Sequence, residues 1–268
     1  MSFLTRLRAA VDLQGALCVG IDPHRALLDA WGVPPTAAGL ERFGRAVVAA
    51  AAGRVAAVKP QVALFESHGS AGMAALEAVL ADARAADLLV IADAKRGDIG
   101  STNAGYAAAW LVPGSPLEAD ALTVSPYLGV GSLDGLFQAA ESADKALFVL
   151  AATSNPEASA LQLARLGDGR TVAASVADAV AQRNLRTAAG HGLVVGATVD
   201  RADFGIDVSP DTPILAPGFG AQGAQLSSLR TLFPADALVL ASASRSILQA
   251  GEHGLVDAID AARAALPA

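Results

Sequence analysis

Short runs of apolar residues recur along the whole chain, and each is followed by a longer segment with a different spacing of apolar positions. The runs are rich in Val, Leu and Ile. Unbroken apolar runs of this length are typical of strands buried on both faces, as in a parallel sheet. The eight predicted strands are Ala16–Ile21, Val55–Lys59, Leu88–Ala92, Ala121–Val124, Ala146–Leu150, Leu193–Gly196, Pro213–Ala216 and Ala237–Leu240.

The segments between these runs predict helices. Leu40, Phe43 and Val47, for example, lie three and four residues apart and would share one face of a helix. Residues 1–14 predict an amphipathic N-terminal helix. The same spacing recurs at Met73, Leu76 and Leu80, at Leu133, Leu136 and Phe137, at Val172, Val176 and Val180, at Leu226, Leu229 and Leu232, and at Val256 and Ile259.

Eight strands that alternate with helices predict a (β/α)8 TIM barrel, an α/β fold that would form a single domain over residues 1–268. A doubly wound open sheet is the alternative, and the count of eight favours the barrel. Polar stretches at Ser154–Thr171 and Asp200–Asp211 predict excursions after the fifth and sixth strands.

Composition narrows the possible partners. The net charge of −7 argues against non-specific binding to nucleic acid or to an anionic membrane, although a local pocket could still take a small anion. No apolar stretch is long enough to span a bilayer. Cys18 is the single cysteine, so no internal disulfide can form, which fits a reducing cytoplasm. The four histidines show no short metal-ligand spacing, and no metal site is predicted.

Charged residues follow the first three predicted strands, where a barrel places its functional groups. Asp22 follows the first strand, Lys59 ends the second, and Asp93, Lys95 and Asp98 follow the third. Asp93 and Lys95 are two residues apart, so an extended chain would point them to the same side. An alternating row of Lys, Asp, Lys and Asp, with Lys95 held between Asp93 and Asp98, would keep each ammonium protonated and able to donate a proton. Ordinary ion pairs in a solvated loop are the alternative.

A glycine-rich turn follows the seventh strand, and its residues 218–223 match G-x-G-x-x-G. A dinucleotide-binding fold would place this pattern after its first strand, with an acidic residue about twenty positions later at the end of the next strand. Neither condition holds here. We therefore predict a phosphate site of the kind that barrels build after strands seven and eight. Gln222 and Arg245 would add side-chain donors. A tight turn without a ligand is the alternative.

The segment Asp93–Thr102, with the sequence DAKRGDIGST, resembles the D-x-K-x-x-D-I signature of the orotidine 5′-phosphate decarboxylase family. The longer, actinobacterial-type (type 2) branch is the most similar. The resemblance extends in the same order through GIDP at 20–23, VKPQ at 58–61, SPYLG at 125–129, ATSNP at 152–156, VGAT at 195–198, PGFGAQG at 217–223 and SR at 244–245. These blocks cover nearly the whole predicted barrel.

The resemblance implies that orotidine 5′-monophosphate loses CO2 to give UMP, the last step of de novo UMP synthesis, without a metal or organic cofactor. Lys95 would protonate C6 of the pyrimidine. Asp93 would lie near the departing carboxylate and, with Lys59, would position Lys95. The family's homodimer would bring Asp98 and Thr102 to the neighbouring subunit's ligand.

The resemblance also implies a set of substrate contacts. Asp22 and Lys59 would bind the ribose hydroxyls, Ser154 the pyrimidine, and Gln222 and Arg245 the phosphate, with Pro217 and Gly218 lining the site by their backbone. Two departures stand out. Ser244 occupies a position where the shorter branch has glycine, and Ser154 is followed by Asn155 where that branch has a Ser-His-Pro-like turn.

Two other functions remain open. Sugar-phosphate decarboxylases and aldolases of the same superfamily share D-x-K-x-x-D but work through Mg²⁺-stabilised enediolates. They would need a metal-binding acid at the end of the second strand, where this chain has Lys59. A non-catalytic phosphate-binding barrel is the other alternative, and the complete set of Asp93, Lys95 and Asp98 argues against it.

Overall fold

The computed structural model describes residues 1–220 and 223–267. Within them, eight parallel strands pair in sequential order, and the last strand pairs with the first to close a barrel. The predicted (β/α)8 TIM barrel is therefore confirmed. The strands are β1 Leu17–Ile21, β2 Ala57–Pro60, β3 Leu89–Arg96, β4 Ala121–Val124, β5 Ala146–Ala152, β6 Gly192–Val195, β7 Ile214–Phe219 and β8 Val239–Ala243.

Helices connect the strands and cover the outside of the barrel. In the described part of the chain they are α1 Phe3–Gln14, α2 Arg25–Ala30, α3 Ala37–Ala51, α4 Val62–Glu66, α5 Gly69–Ala85, α6 Gly100–Trp110, α7 Asp134–Ser142, α8 Ser159–Gln162, α9 Val172–Thr187, α10 Arg201–Phe204, α11 Leu229–Leu232, α12 Arg245–Leu248 and α13 Gly251–Ala264. None of these described helices is long and apolar enough to cross a membrane.

The apolar pattern located every strand, but it missed the short helices α2, α4 and α12. It also missed the longer helix α6. This helix has the sequence GSTNAGYAAAW, in which small residues dominate and no apolar stripe recurs. The buried residues of this helix are nevertheless Asn103, Ala107 and Trp110. Packing against neighbouring elements therefore determines which face of the helix is buried. The two polar excursions contain the short helices α8 and α10.

Helix α1 closes the amino end of the barrel. Phe3 and Leu7 are fully buried and pack with the side chains inside the barrel, where the Phe3 ring meets Phe148 edge to face at 6.1 Å. Arg6 forms an ion pair with Asp120, just before β4. Because side chains fill this end, the cavity at the carboxyl end of the barrel is the one that the strand ends and their loops surround.

A buried histidine lies just before β6, outside the barrel mouth. His191 Nδ1 accepts a hydrogen bond from the N–H of Leu147 at 3.1 Å, so Nε2 carries the proton and donates to Glu141 Oε1 at 3.1 Å. Arg183 also binds Glu141, at 2.6 Å. Burial lowers the pKa of His191 to about 4, although Glu141 acts in the opposite direction. The imidazole is therefore neutral in the folded protein at pH 7.

We predict that His191 makes the fold sensitive to acid. Above its ordinary pKa of about 6.5, the residue is neutral in both the folded and unfolded states and adds no pH dependence. Between about pH 6.5 and 4 only the unfolded chain takes up the proton, so the free energy of unfolding should fall by about 3 kcal/mol in total. Urea unfolding of wild type and His191→Gln at pH 7 and pH 5 measures this. Equal losses of stability in the two proteins would contradict the prediction.

Candidate active site

The carboxyl ends of the strands surround an open cavity of about 430 Å³. A volume of this size is typical of small-ligand sites. Its walls come from the ends of β1, β2, β3, β7 and β8 and from the loops that follow them. The lining residues are Asp22, His24, Lys59, Gln61, Ala63, Leu64, Asp93, Pro217, Gly218, Phe219, Ser242, Ser244 and Arg245.

Three side chains form a charged row (Lys59, Asp93 and Lys95) across the ends of β2 and β3. Lys59 Nζ donates to Asp93 Oδ2 at 2.9 Å, and Lys95 Nζ donates to Asp93 Oδ1 at 2.6 Å. Asp22 extends the row at a longer distance, with Oδ1 lying 4.0 Å from Lys59 Nζ. The structure therefore brings Lys59, Asp93 and Lys95 together at the mouth of the barrel, as predicted, with Asp22 beside them. Asp98, which was expected to flank Lys95 on its other side, forms no ion pair with it within the described residues.

Pairing keeps the inner part of the row charged despite its burial. Burial alone would lower the pKa of Lys59, but the negative charges of Asp93 and Asp22 outweigh it and raise that pKa above its usual range. Burial would likewise raise the pKa of Asp93, but Lys59 and Lys95 lower it to about 2. The site thus presents two ammonium groups around one fixed carboxylate at neutral pH.

Burial decreases outward along the row. The side chains of Lys59 and Asp93 are 8% and 12% exposed, whereas that of Lys95 is 46% exposed. Lys59 and Asp93 are therefore the buried members of the row, and Lys95 is its solvent-accessible member.

The local backbone at Lys95 differs from the regular strand that the sequence suggested. Its φ is +49°, in the left-handed region that non-glycine residues seldom occupy. The pairing of β3 with β4 shifts register between Ala92 and Arg96. Asp93 and Lys95 do meet, as predicted, but a β-bulge brings them together rather than simple alternation along an extended strand.

Two buried polar atoms of the cavity wall have no hydrogen-bond partner within the described residues: Asp22 Oδ1 and Ser244 Oγ. Both side chains lie over Gly20, where an added Cβ would be 3.1 Å from Asp22 Oδ2 and 2.7 Å from Ser244 Cβ. Buried polar groups are normally satisfied. These two atoms are therefore unsatisfied hydrogen-bonding groups in the wall of the cavity.

The predicted phosphate end lies across the cavity from β3. Pro217 and Gly218 line it, and Arg245 stands at the first position of α12. The guanidinium of Arg245 is exposed and has no ion pair or side-chain hydrogen bond within residues 1–220 and 223–267. A Cβ on Gly220 would lie 2.5 Å from Ser246 Oγ, so glycine is required for the turn to pack against α12. Gln222 lies outside the described residues.

Four described residues of the predicted site do not line this cavity: Lys95, Asp98, Thr102 and Ser154. Lys95 is linked to it through Asp93, which does line the cavity and binds Lys95 Nζ at 2.6 Å. Ser154 is exposed in the loop after β5, close to Gly196. Thr102 is exposed on α6. Asp98 lies at the start of the loop before α6, where its backbone N–H donates to Asn103 Oδ1 at 3.0 Å and its own Oδ1 accepts from the N–H of Ile99 at 2.8 Å.

Thr123, beside the charged row, was not predicted, and neither were the polar lining residues His24, Gln61 and Ser242. Thr123 is 1% exposed, and its hydroxyl lies 3.0 Å from Asp93 Oδ1. It is the polar member of the otherwise apolar strand Ala121–Val124. That interruption of an apolar run was the signal in the sequence, because a buried hydroxyl needs a specific partner. Within the described residues, no group of three or more His, Cys, Asp or Glu is arranged to hold a metal ion.

A family model described as "Orotidine 5'-phosphate decarboxylase / HUMPS family" matches residues 15–256. Curated relatives named orotidine 5′-phosphate decarboxylase include one from Salinispora tropica, 51% identical over 93% of this chain and 91% of the relative, and one from Streptomyces coelicolor, 50% identical over 93% and 90%.

Solved structures agree with these relatives. The putative orotidine 5′-phosphate decarboxylase of Streptomyces avermitilis is 48% identical and superimposes with a TM-score of 0.94 over 99% of this chain and 94% of the other. The putative orotidine-monophosphate decarboxylase of Toxoplasma gondii is 30% identical, with a TM-score of 0.83 over 98% and 94%. The chain therefore belongs to the orotidine 5′-phosphate decarboxylase / HUMPS family.

Proposed function

We propose that this chain catalyses the decarboxylation of orotidine 5′-monophosphate to UMP and CO2, and so completes de novo UMP synthesis. The observation that carries the proposal is the charged row Lys59–Asp93–Lys95, which shares one barrel mouth with the Pro217–Gly218 turn and Arg245. A nucleoside monophosphate has the matching polarity, with a dianionic phosphate at one end and the reacting ring at the other. The names of the relatives support the same reaction.

The phosphate would bind at the β7 and β8 ends. Arg245 offers a planar fork of N–H donors, and the close packing of Gly220 on Ser246 holds the turn against α12. Gln222 would add a further donor. Since the phosphate-binding site lies away from the reacting carbon, the energy of phosphate binding can order the site for the chemical step. It can therefore raise the rate as well as the affinity.

The ribose would lie between the phosphate end and the charged row. Asp22 Oδ1, which lacks a partner within the described residues, would accept a hydrogen bond from a ribose hydroxyl, and Lys59 would donate to one. The ring would then reach toward Ser154, whose hydroxyl would contact the pyrimidine.

The chemical step would occur beside Lys95. The bond between C6 and the carboxylate carbon breaks, its electron pair remains on C6, and CO2 leaves. The ammonium of Lys95 stabilises the developing charge and then transfers a proton from Nζ to C6. Asp93 and Lys59 hold Lys95 in place, and Asp93 would lie near the departing carboxylate.

A homodimer would complete the site. Asp98 and Thr102 lie outside the cavity of their own chain, and exposed apolar side chains occur at Ile99, between them in sequence, and at Tyr127, in the loop after β4. Ile99 is 62% exposed and Tyr127 is 77% exposed. Contact with a second copy would cover these side chains and place Asp98 and Thr102 at the partner's ligand.

The experiment that tests the proposal is the loss of orotidylate absorbance when purified protein is added, with and without excess chelator. We expect turnover that is unchanged by the chelator, because the chain's own ammonium groups provide the positive charge. An inactive wild-type protein would refute the proposed function. Activity that disappears with chelator and returns with Mg²⁺ would favour the metal-dependent alternative.

A further inference from the structure

Thr123 contacts both members of the outer ion pair. Its Oγ1 donates to Asp93 Oδ1 at 3.0 Å and accepts a hydrogen bond from the backbone N–H of Lys95 at 2.9 Å. The side chain is 1% exposed, so bulk water does not compete for the hydrogen bonds of its hydroxyl. One hydroxyl thus links the carboxylate of Asp93 to the backbone of Lys95.

The position of Thr123 in the sheet explains why a hydroxyl is needed. Backbone pairing between β3 and β4 runs through Ala92 and Leu122 and resumes at Arg96 and Val124. Three residues of β3 therefore face one residue of β4, and the N–H of Lys95 loses the carbonyl that regular pairing would supply. Thr123 Oγ1 provides the missing acceptor.

The same hydroxyl stabilises an uncommon backbone conformation. Lys95 adopts φ +49°, which has to be held by its surroundings in a non-glycine residue. The only acceptor recorded for the Lys95 N–H in the described part of the chain is Thr123 Oγ1. If it were removed, a backbone donor at the bulge would be left without a partner, and the direction of the Lys95 side chain would be less well fixed.

Thr123 also restricts the carboxylate. Asp93 Oδ2 is bound by Lys59 at 2.9 Å, while Oδ1 receives both Lys95 Nζ at 2.6 Å and Thr123 at 3.0 Å. Lys59 alone would hold the carboxylate at one oxygen. The second, uncharged donor on Oδ1 fixes the plane of the carboxylate, and with it the point at which Lys95 Nζ rests.

We propose that Thr123 is a positioning residue for the decarboxylation, which acts by fixing the backbone of Lys95 and the carboxylate of Asp93. The kinetic part of this inference rests on the proposed function. The structural part rests on the β3 bulge alone. A group that only positions the proton donor affects the chemical step more than ground-state binding.

Thr123→Val removes the hydroxyl and keeps the branched shape, whereas Thr123→Ser keeps the hydroxyl. We expect T123V to lower kcat by about 10- to 100-fold, the range for loss of a hydrogen bond to a charged group, with KM changed by less than about threefold. T123S should stay within about threefold of wild type in kcat. Thr212→Val is the matched control, since Thr212 is also buried and hydrogen-bonded, but lies before β7 at the other end of the barrel.

Crystal structures of T123V and T123S give a measurement that does not depend on activity. In T123V we expect Lys95 Nζ to leave Asp93 Oδ1 by more than about 1 Å, or to occupy several positions, while T123S keeps the contact. An unchanged kcat in T123V, a loss confined to KM, or an unmoved Lys95 would overturn the proposal. If wild type itself is inactive on orotidylate, the proposed function fails, and the crystal structures still decide whether Thr123 positions Lys95.

Discussion

Replacing Lys95 by alanine is expected to lower turnover of orotidine 5′-monophosphate by at least about 10⁴-fold while leaving a folded protein that binds UMP. A positioned proton donor contributes about 10²- to 10⁴-fold, and electrostatic stabilisation of the developing charge about 10²- to 10³-fold. Lys95 would supply both. The loss should appear in kcat, because the interaction that is removed strengthens as negative charge develops on C6.

The rest of the site should survive this change. Asp93 keeps Lys59 at 2.9 Å and Thr123 at 3.0 Å, so its buried carboxylate is not left unpaired. Lys95 is the most exposed member of the charged row, so truncation of its side chain opens no core cavity. Thermal unfolding and UMP calorimetry should therefore stay close to wild type.

Lys95→Arg separates the two contributions of the residue. Arginine retains a positive charge but cannot give up a proton near neutral pH. We expect K95R to remain deeply impaired in steady-state assays of CO2 release. Turnover near the wild-type level in either variant would rule out Lys95 as the proton donor.

The fold followed from local information because a parallel barrel repeats one simple pattern. Runs such as Ala121–Val124 are apolar since both faces of the sheet are buried, and their order along the chain is their order around the barrel. Helix α6 was not predicted because its small residues form no periodic stripe of apolar side chains. Its place is set by packing against other elements.

The site was less accessible to prediction than the fold. Charge spacing brought Asp93 and Lys95 together, but the β3 bulge and the role of Thr123 depend on pairing with β4, which lies about thirty residues further along. Nothing in the sequence of β3 alone indicates that Lys95 adopts a positive φ. Residues that would act across a subunit boundary, such as Asp98, have no ligand-facing geometry within one chain.

The proposed homodimer leads to the second large expected effect. Mixing inactive Lys95→Ala and Asp98→Ala chains is expected to restore about one quarter of wild-type turnover from a negligible background. In a twofold dimer each site would combine Lys95 of one chain with Asp98 of the other. A hybrid dimer therefore contains one complete site and one that lacks both groups. Random exchange makes about half of the dimers hybrid, so about one quarter of all sites become complete.

The mixing experiment needs proof that hybrids form, which differently tagged chains and sequential affinity capture provide. Lys95→Ala mixed with the Lys95→Ala/Asp98→Ala double variant is the matched control, because no combination of those chains yields a complete site. Recovery in the first mixture and none in the control would place Asp98 in the partner's site. Captured hybrids without activity would instead assign Asp98 to the site of its own chain. The exposed side chains of Ile99 and Tyr127 would then belong to a different contact.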